Sequence, residues 1–275
     1  MLRTRLILIL VMICTTGCAT GAPTPVPTRF PALQPTAMGD LKLTILDDNT
    51  TTDPQLASEW GFAAVVQYAG HTLLFDTGTD GALLLNNMRQ LKVDPQSIEA
   101  VILSHQHTDH TGGLQALLDT GVRPTVYVPT AFAESFKRPL RKQTQLVEVS
   151  EATEIMPGIH TPRPVGSIIE QGLVVETRDG LVVITGCAHP GVAEMVRQAQ
   201  AVVDGKIVLL IGGFHLYQQM ESALPPVVAE IRQLGVEGIL PAHCTGDAAM
   251  ALFQKEYGAT YIEGGVGRTV TFPAQ

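Results

Sequence analysis

The apolar run Ala100-Val101-Ile102-Leu103 leads, after one serine, into His105-Gln106-His107-Thr108-Asp109-His110, and this junction constrains the possible folds more than any other. Imidazole and carboxylate are the ligands that borderline divalent metals such as zinc prefer. The run before them is a short buried-strand pattern, so the strand must open its carboxyl end onto a polar, metal-binding edge. His105 and His107, two apart at the mouth of a strand, point the same way. Asp109 and His110 are carried past them by the turning chain. The two pairs are poorly placed to crowd one ion and well placed to serve two ions side by side.

The rest of the chain supplies similar junctions. Strand-like runs cover 41–46, 62–68, 72–75, 100–103, 125–128, 173–177, 181–185, 206–211 and 239–240. Helical patterns cover 81–91, 114–119, 192–203, 222–234 and 248–257. Tyr68-Ala69-Gly70-His71 reads as a hairpin turn. Early strands pair by hairpins and later ones alternate with helices, which predicts two sheets face to face with helices outside. The stretch 137–164 reads as an irregular excursion near the pocket rim. Asp76 follows one strand and His105 another, as do Cys187 with His189, His215 and His243. Strand-end loops are where rigid scaffolds place reactive groups, so five junctions are expected to converge on one edge.

Ser104-His105-Gln106-His107-Thr108-Asp109-His110-Thr111-Gly112-Gly113 resembles the signature of the metallo-β-lactamase fold superfamily of metal-dependent hydrolases. Leu73-Leu74-Phe75-Asp76-Thr77-Gly78 is similar to that superfamily's first motif. Gly186-Cys187-Ala188-His189-Pro190-Gly191, Gly212-Gly213-Phe214-His215-Leu216 and Pro241-Ala242-His243-Cys244-Thr245-Gly246 resemble its branch of dihydropterin–ribofuranosylaminobenzene phosphate synthases. The resemblance spans about 41–270. It implies an α/β, four-layer αββα sandwich with two divalent ions, zinc first and iron or manganese as alternatives. His105, His107 and His189 would hold one ion; Asp109, His110 and His243 would hold the other.

This chain departs from the superfamily pattern twice. The usual third-motif histidine falls in 158–166, where Gly158-Ile159-His160-Thr161-Pro162 does not match it. Cys187 stands where a metal-bridging Asp is usual, so it is read as a bridge or as a wall of the site. Asp76 is expected to orient a ligand histidine. Asp109 is expected to manage the proton of the attacking water. His215 is expected either to compete for the second ion or to face substrate as an acid or oxyanion stabiliser.

Three readings of function follow: a binuclear hydrolase of an ester, lactone or phosphoester, a synthase-like transferase, and a non-catalytic metal-binding lipoprotein. The substrate is expected to be a small molecule. Asn49, Glu59 and Trp60 are candidate pocket residues, and His71 and His160 are expected on the surface. Lys137-Arg138-Pro139-Leu140-Arg141-Lys142 reads as a solvated basic face or an anion contact. Cys187 and Cys244 read as site residues, with a disulfide as the alternative.

The amino terminus is read as a targeting segment. Arg3 and Arg5, an apolar core at 6–13 and small residues before Cys18 fit a bacterial lipoprotein signal at 1–17 with a lipid anchor on Cys18. A secreted protein cut near Ala22 is the alternative. A Pro/Thr-rich tether is expected over 18–37 and one catalytic domain over 38–275. Removing 1–17 leaves 16 basic against 26 acidic residues. That acidity disfavours nucleic acid as a partner, because nucleic-acid binding needs a basic stripe.

Overall fold

The computed structural model describes residues 29–34 and 38–274. The expected signal segment, and Cys18 with it, lie outside the described residues. Strands β1 (Leu41–Asp47), β2 (Ala63–Tyr68) and β3 (His71–Phe75) form an antiparallel meander, and β4 (Ala100–Ile102), β5 (Thr125–Pro129) and β6 (Leu146–Val149) extend it in parallel. The second sheet comprises β7 (Thr153–Met156), β8 (Ile159–Thr161), β9 (Leu173–Thr177), β10 (Gly180–Thr185), β11 (Ile207–Gly213) and β12 (Ile239–Ala242). It runs antiparallel from β7 to β10 and parallel from β10 to β12. A last strand, β13 (Thr269–Phe272), joins the first sheet beside β1, so the strand orders are β13-β1-β2-β3-β4-β5-β6 and β12-β11-β10-β9-β8-β7.

Side-chain alternation explains why the sheets stack. In β10, Val182 and Ile184 face the core between the sheets, whereas Leu181 and Val183 face the helices on the far side. In β4, Ala100 and Ile102 turn inward and Val101 turns outward. Strands buried on both faces lose the polar half of the alternation, which is why they read as continuous apolar runs. Helices α1 (Gly81–Gln90), α2 (Thr108–Thr111), α3 (Leu114–Asp119) and α4 (Glu134–Leu140) belong to the first sheet's side. Helices α5 (Val192–Val202), α6 (Leu224–Gln233) and α7 (Asp247–Tyr257) cover the second sheet. The result is the expected αββα sandwich.

Three expectations need correction. The stretch 137–164 is not irregular: α4 runs into it, and β6, β7 and β8 occupy much of the rest. These are short elements near the sheet edges, where periodicity has few residues in which to show. His160 is not on the surface but 1% exposed in β8, paired at 2.8 Å with the buried Glu176. The basic run is a solvated face only in part, with Arg138, Arg141 and Lys142 exposed. Lys137 is buried, with Nζ 2.6 Å from Glu148 and 3.0 Å from the Thr130 carbonyl, and Arg141 pairs with Glu134 and Glu148. His71 is exposed, as expected, beside Glu99 at 2.9 Å.

Residues 29–34, read as part of a free tether, lie against the domain. The Phe30 N–H donates to the Val202 carbonyl at 2.7 Å, and its ring stacks on His160 at 4.9 Å. Leu33 N–H donates to Glu176 at 2.7 Å. Phe30 gives a Pro-rich stretch one aromatic side chain to place, and that side chain anchors it.

Candidate metal centre

Parallel strands aim their carboxyl ends at one edge, and the loops after β3, β4, β10, β11 and β12 meet there. In open α/β sheets this is where ligands bind. Helix α2 is a single turn begun after His107, and it swings Asp109 and His110 past the first two histidines. The sulfur of Cys187 and ring nitrogens of His105 and His189 lie within 4.8 Å of one another. So do donor atoms of Asp109, His110, Cys187 and His243. His107 stands at the exposed rim, its Nδ1 3.0 Å from His105 Nε2 and its ring 4.9 Å from that of His189. Cys187 is thus common to both groups.

Each of four histidines has one ring nitrogen held from behind, leaving the other for the centre. His110 Nδ1 bonds Asp76 at 2.7 Å, and its Nε2 faces Cys187 Sγ at 3.1 Å. His105 Nδ1 bonds Ser104 Oγ at 2.9 Å, and that hydroxyl donates in turn to Asp76 at 2.7 Å. His189 Nδ1 bonds Glu170 at 3.0 Å, and His243 Nδ1 bonds Asn49 at 3.0 Å. Partners of this kind fix the tautomer and orientation of metal-binding histidines. His243 Nε2 is buried with no hydrogen-bond partner, although Asp109 Oδ2 lies 3.3 Å away off the bonding direction. A buried polar atom left unpaired is costly, and a metal ion would satisfy it.

The electrostatics favour the ligand forms. Burial, aided by the His110 charge, lowers His105 to about 2, and burial with His243 lowers His110 to about 3, so both rings are neutral near pH 7 and carry charge only in strong acid. Although burial opposes it, the contact with His243 and the charge of His110 hold the Asp109 carboxyl below its usual range. His105, His110 and Asp109 therefore fit divalent ions in chemistry and protonation. The Asp109 contact outweighs burial to raise His243, and the Cys244 contact with burial raises the Cys187 thiol, so an ion there would displace their protons.

The backbone here is strained. Asp76, Ala188, His215 and His243 adopt left-handed φ values of 55°, 59°, 50° and 48°. Non-glycine residues reach that region at a cost of about 1–3 kcal/mol each, and such outliers cluster at functional sites. Gly186 is required by close approach, since a Cβ there would lie 2.1 Å from Ser104 Oγ and 3.0 Å from Asp76 Oδ2.

His215 is placed apart from the second donor group. It sits against Cys187 and Cys244, its ring 4.4 Å from that of His189. Cys187 and Cys244 are free, buried thiols, so the disulfide alternative is not adopted. His160 lies in its own buried pair and takes no part. Trp60 is half exposed at the mouth, with Nε1 donating to Asp109 Oδ2 at 3.2 Å and its ring 5.1 Å from Tyr217. Glu59, Trp60, Thr79, Gln106, His107, Thr108 and Asp109 line an open cavity of 540 Å3.

Glu170 was invisible in the sequence. Its fully buried carboxylate accepts from the backbone N–H groups of Cys187, Ala188 and His189 at 2.9, 2.8 and 2.9 Å. Burial would raise it, but the His189 bond and the His105 charge hold it down at about 2. Asp48 plays a similar part for His243, accepting from its N–H at 2.7 Å. Neither lies in a recognisable motif; a polar residue inside an apolar stretch is the only signal, and it is weak.

The family model described as the metallo-beta-lactamase superfamily matches residues 61–201. The chain is 26% identical over 280 residues to the 7,8-dihydropterin-6-methyl-4-(beta-D-ribofuranosyl)-aminobenzene-5'-phosphate synthase of Methanocaldococcus jannaschii, covering 83% of this chain and 95% of that one. A crystal structure of a metal-dependent hydrolase of the beta-lactamase superfamily is 26% identical, with a TM-score of 0.71 over 84% of this chain and 98% of that one. A diphosphatase from the PhnP family shares the fold at 19% identity, with a TM-score of 0.60 over 86% of this chain and 98% of that one.

Proposed function

The chain belongs to the metallo-beta-lactamase superfamily, and from that premise we propose that it is a hydrolase of a small-molecule ester, lactone or phosphoester, working with a pair of divalent ions, zinc foremost. The observation that carries this reading is the set of four histidines, each held from behind and each presenting its other nitrogen to one centre. His105, His107 and His189 would hold one ion and Asp109, His110 and His243 the other, with Cys187 facing both. Bound there, such ions polarise a substrate oxygen and lower the pKa of water toward 7.

The chain's own groups would do the rest. Asp109, held by Trp60 and beside His243, is placed to orient the attacking water and to pass its proton to the leaving group. Trp60 and Tyr217 present aromatic surface at the mouth for an apolar or planar part of the substrate. Asp76, Ser104, Glu170 and Asn49 keep the ligands in place.

The test is turnover of ester, lactone and phosphodiester panels by the metal-loaded protein. Metal-dependent turnover of one class is expected, falling at least about a hundredfold in Asp109→Ala. No turnover of any class by fully loaded protein would defeat the hydrolase reading. A second reading, transfer with release of diphosphate, is favoured by the 26% identical synthase. Diphosphate release from a pterin donor without net hydrolysis would select it.

For location, we propose export and a lipid anchor on Cys18, on the pattern of residues 1–18 alone. The mass of the native protein decides: a lipidated chain starting at Cys18 supports the anchor, and an unmodified chain starting near Ala22 refutes it.

A further inference from the structure

We propose that Cys187, Cys244 and His215 form a third, sulfur-rich donor set that holds one thiophilic divalent ion beside the paired centre. The two sulfurs and a ring nitrogen of His215 lie within 4.8 Å of one another. Both thiols are free, and Cys187 and Cys244 are 3% and 1% exposed. His215 Nδ1 is buried with no hydrogen-bond partner. A histidine that merely closes a turn would have its buried nitrogens paired. Two sulfurs and an imidazole are the donors of Cys2His zinc sites, and soft sulfur selects zinc-like ions.

The surrounding structure is built to keep these three groups together. They come from the loops after β10, β12 and β11, so three junctions converge on one point. The loop carrying His215 is laced to the Cys244 turn by four bonds. Phe214 N–H donates to Thr245 Oγ1 at 3.2 Å and His215 N–H to Cys244 Sγ at 3.3 Å. Leu216 and Tyr217 N–H groups donate to the Cys244 carbonyl at 3.1 and 3.2 Å. His215 takes its left-handed φ of 50° within this lacing, with a ring nitrogen near both sulfurs. Gly213 has no room for a side chain, because a Cβ there would lie 2.8 Å from Cys244 Sγ. The hydrolytic scheme uses neither His215 nor Cys244, so their placement needs another reason. His215 becomes a ligand of a separate ion on this account, in place of the two roles expected from sequence, competitor for the second ion or acid or oxyanion stabiliser facing substrate.

The inference rests on the paired reading only through Cys187, whose thiolate is shared. The test loads metal-free protein with cobalt(II), thiols reduced and oxygen excluded, and reads bound metal together with the near-ultraviolet sulfur-to-cobalt charge-transfer band. Close to three equivalents are expected in the intact protein. Cys244→Ser should bind close to two, with a weakened band, and His215→Gln should hold the third about tenfold or more weakly. Circular dichroism checks that each variant folds, and if the serine variant does not, His215→Gln decides alone. Two equivalents in intact protein, unchanged in both variants along with the band, would overturn the third set and leave the pair standing. A single equivalent whose band disappears in Cys244→Ser would support the sulfur set and remove the pair.

Discussion

At the scale of single residues, the centre depends on groups that would never touch substrate. Glu170 gathers three backbone N–H groups and His189 Nδ1 onto one buried carboxylate, so the loop bearing Cys187 and His189 is pinned from beneath. Glu170→Gln keeps the shape but turns an amide N–H₂ toward donors. Buried groups left unpaired cost about 1–3 kcal/mol, and lost ligand support typically weakens metal affinity about 10–100-fold. The expected outcome is a loss of about 2–3 kcal/mol in urea unfolding and a comparable drop in metal competition titrations. An unchanged affinity would show that the loop holds itself. The histidine-rich hexapeptide was legible because its candidate ligands are adjacent in sequence. Glu170 was not, because only the packing of the segment before β9 under the β10 loop gives it a role.

At the scale of elements, the edge that carries the ligands is only as rigid as the helices behind it. Helix α7 starts immediately after the His243-Cys244-Thr245-Gly246 turn and is anchored by Phe253, fully buried and 5.5 Å from Phe214. Phe253→Ala should cost about 3–5 kcal/mol by the cavity it leaves, read as a shift in the denaturation midpoint. It should also loosen the ion nearest His243 more than the one nearest His105, because α7 supports only the first. Equal weakening of both would argue against that chain of support. The long buried strands were readable since both faces are apolar. Strands β6, β7 and β13 and helix α4 were not, being short and half exposed, nor was β8, buried but three residues long. Lys137 and Arg141 looked like a free basic face when Glu134 and Glu148 neutralise them.

At the scale of the whole molecule, two sheets bring the ends of five strands to one edge, so ligands more than a hundred residues apart meet in a single cluster. The sandwich and its edge were predictable from strand-then-ligand repetition together with the family resemblance. What could not be read was the arrangement within the cluster: which of its two readings Cys187 would take, that His215 turns toward sulfur, and that His160 is buried elsewhere. Those depend on left-handed residues and close glycine contacts that leave no regular trace in sequence. The most direct test of the account is anomalous diffraction from crystals of metal-loaded protein. Besides the peak expected beside Cys244 and His215, it should show two peaks about 3.5–4 Å apart, one among His105, His107 and His189 and one among Asp109, His110 and His243. A single peak there, or none, would contradict the paired centre.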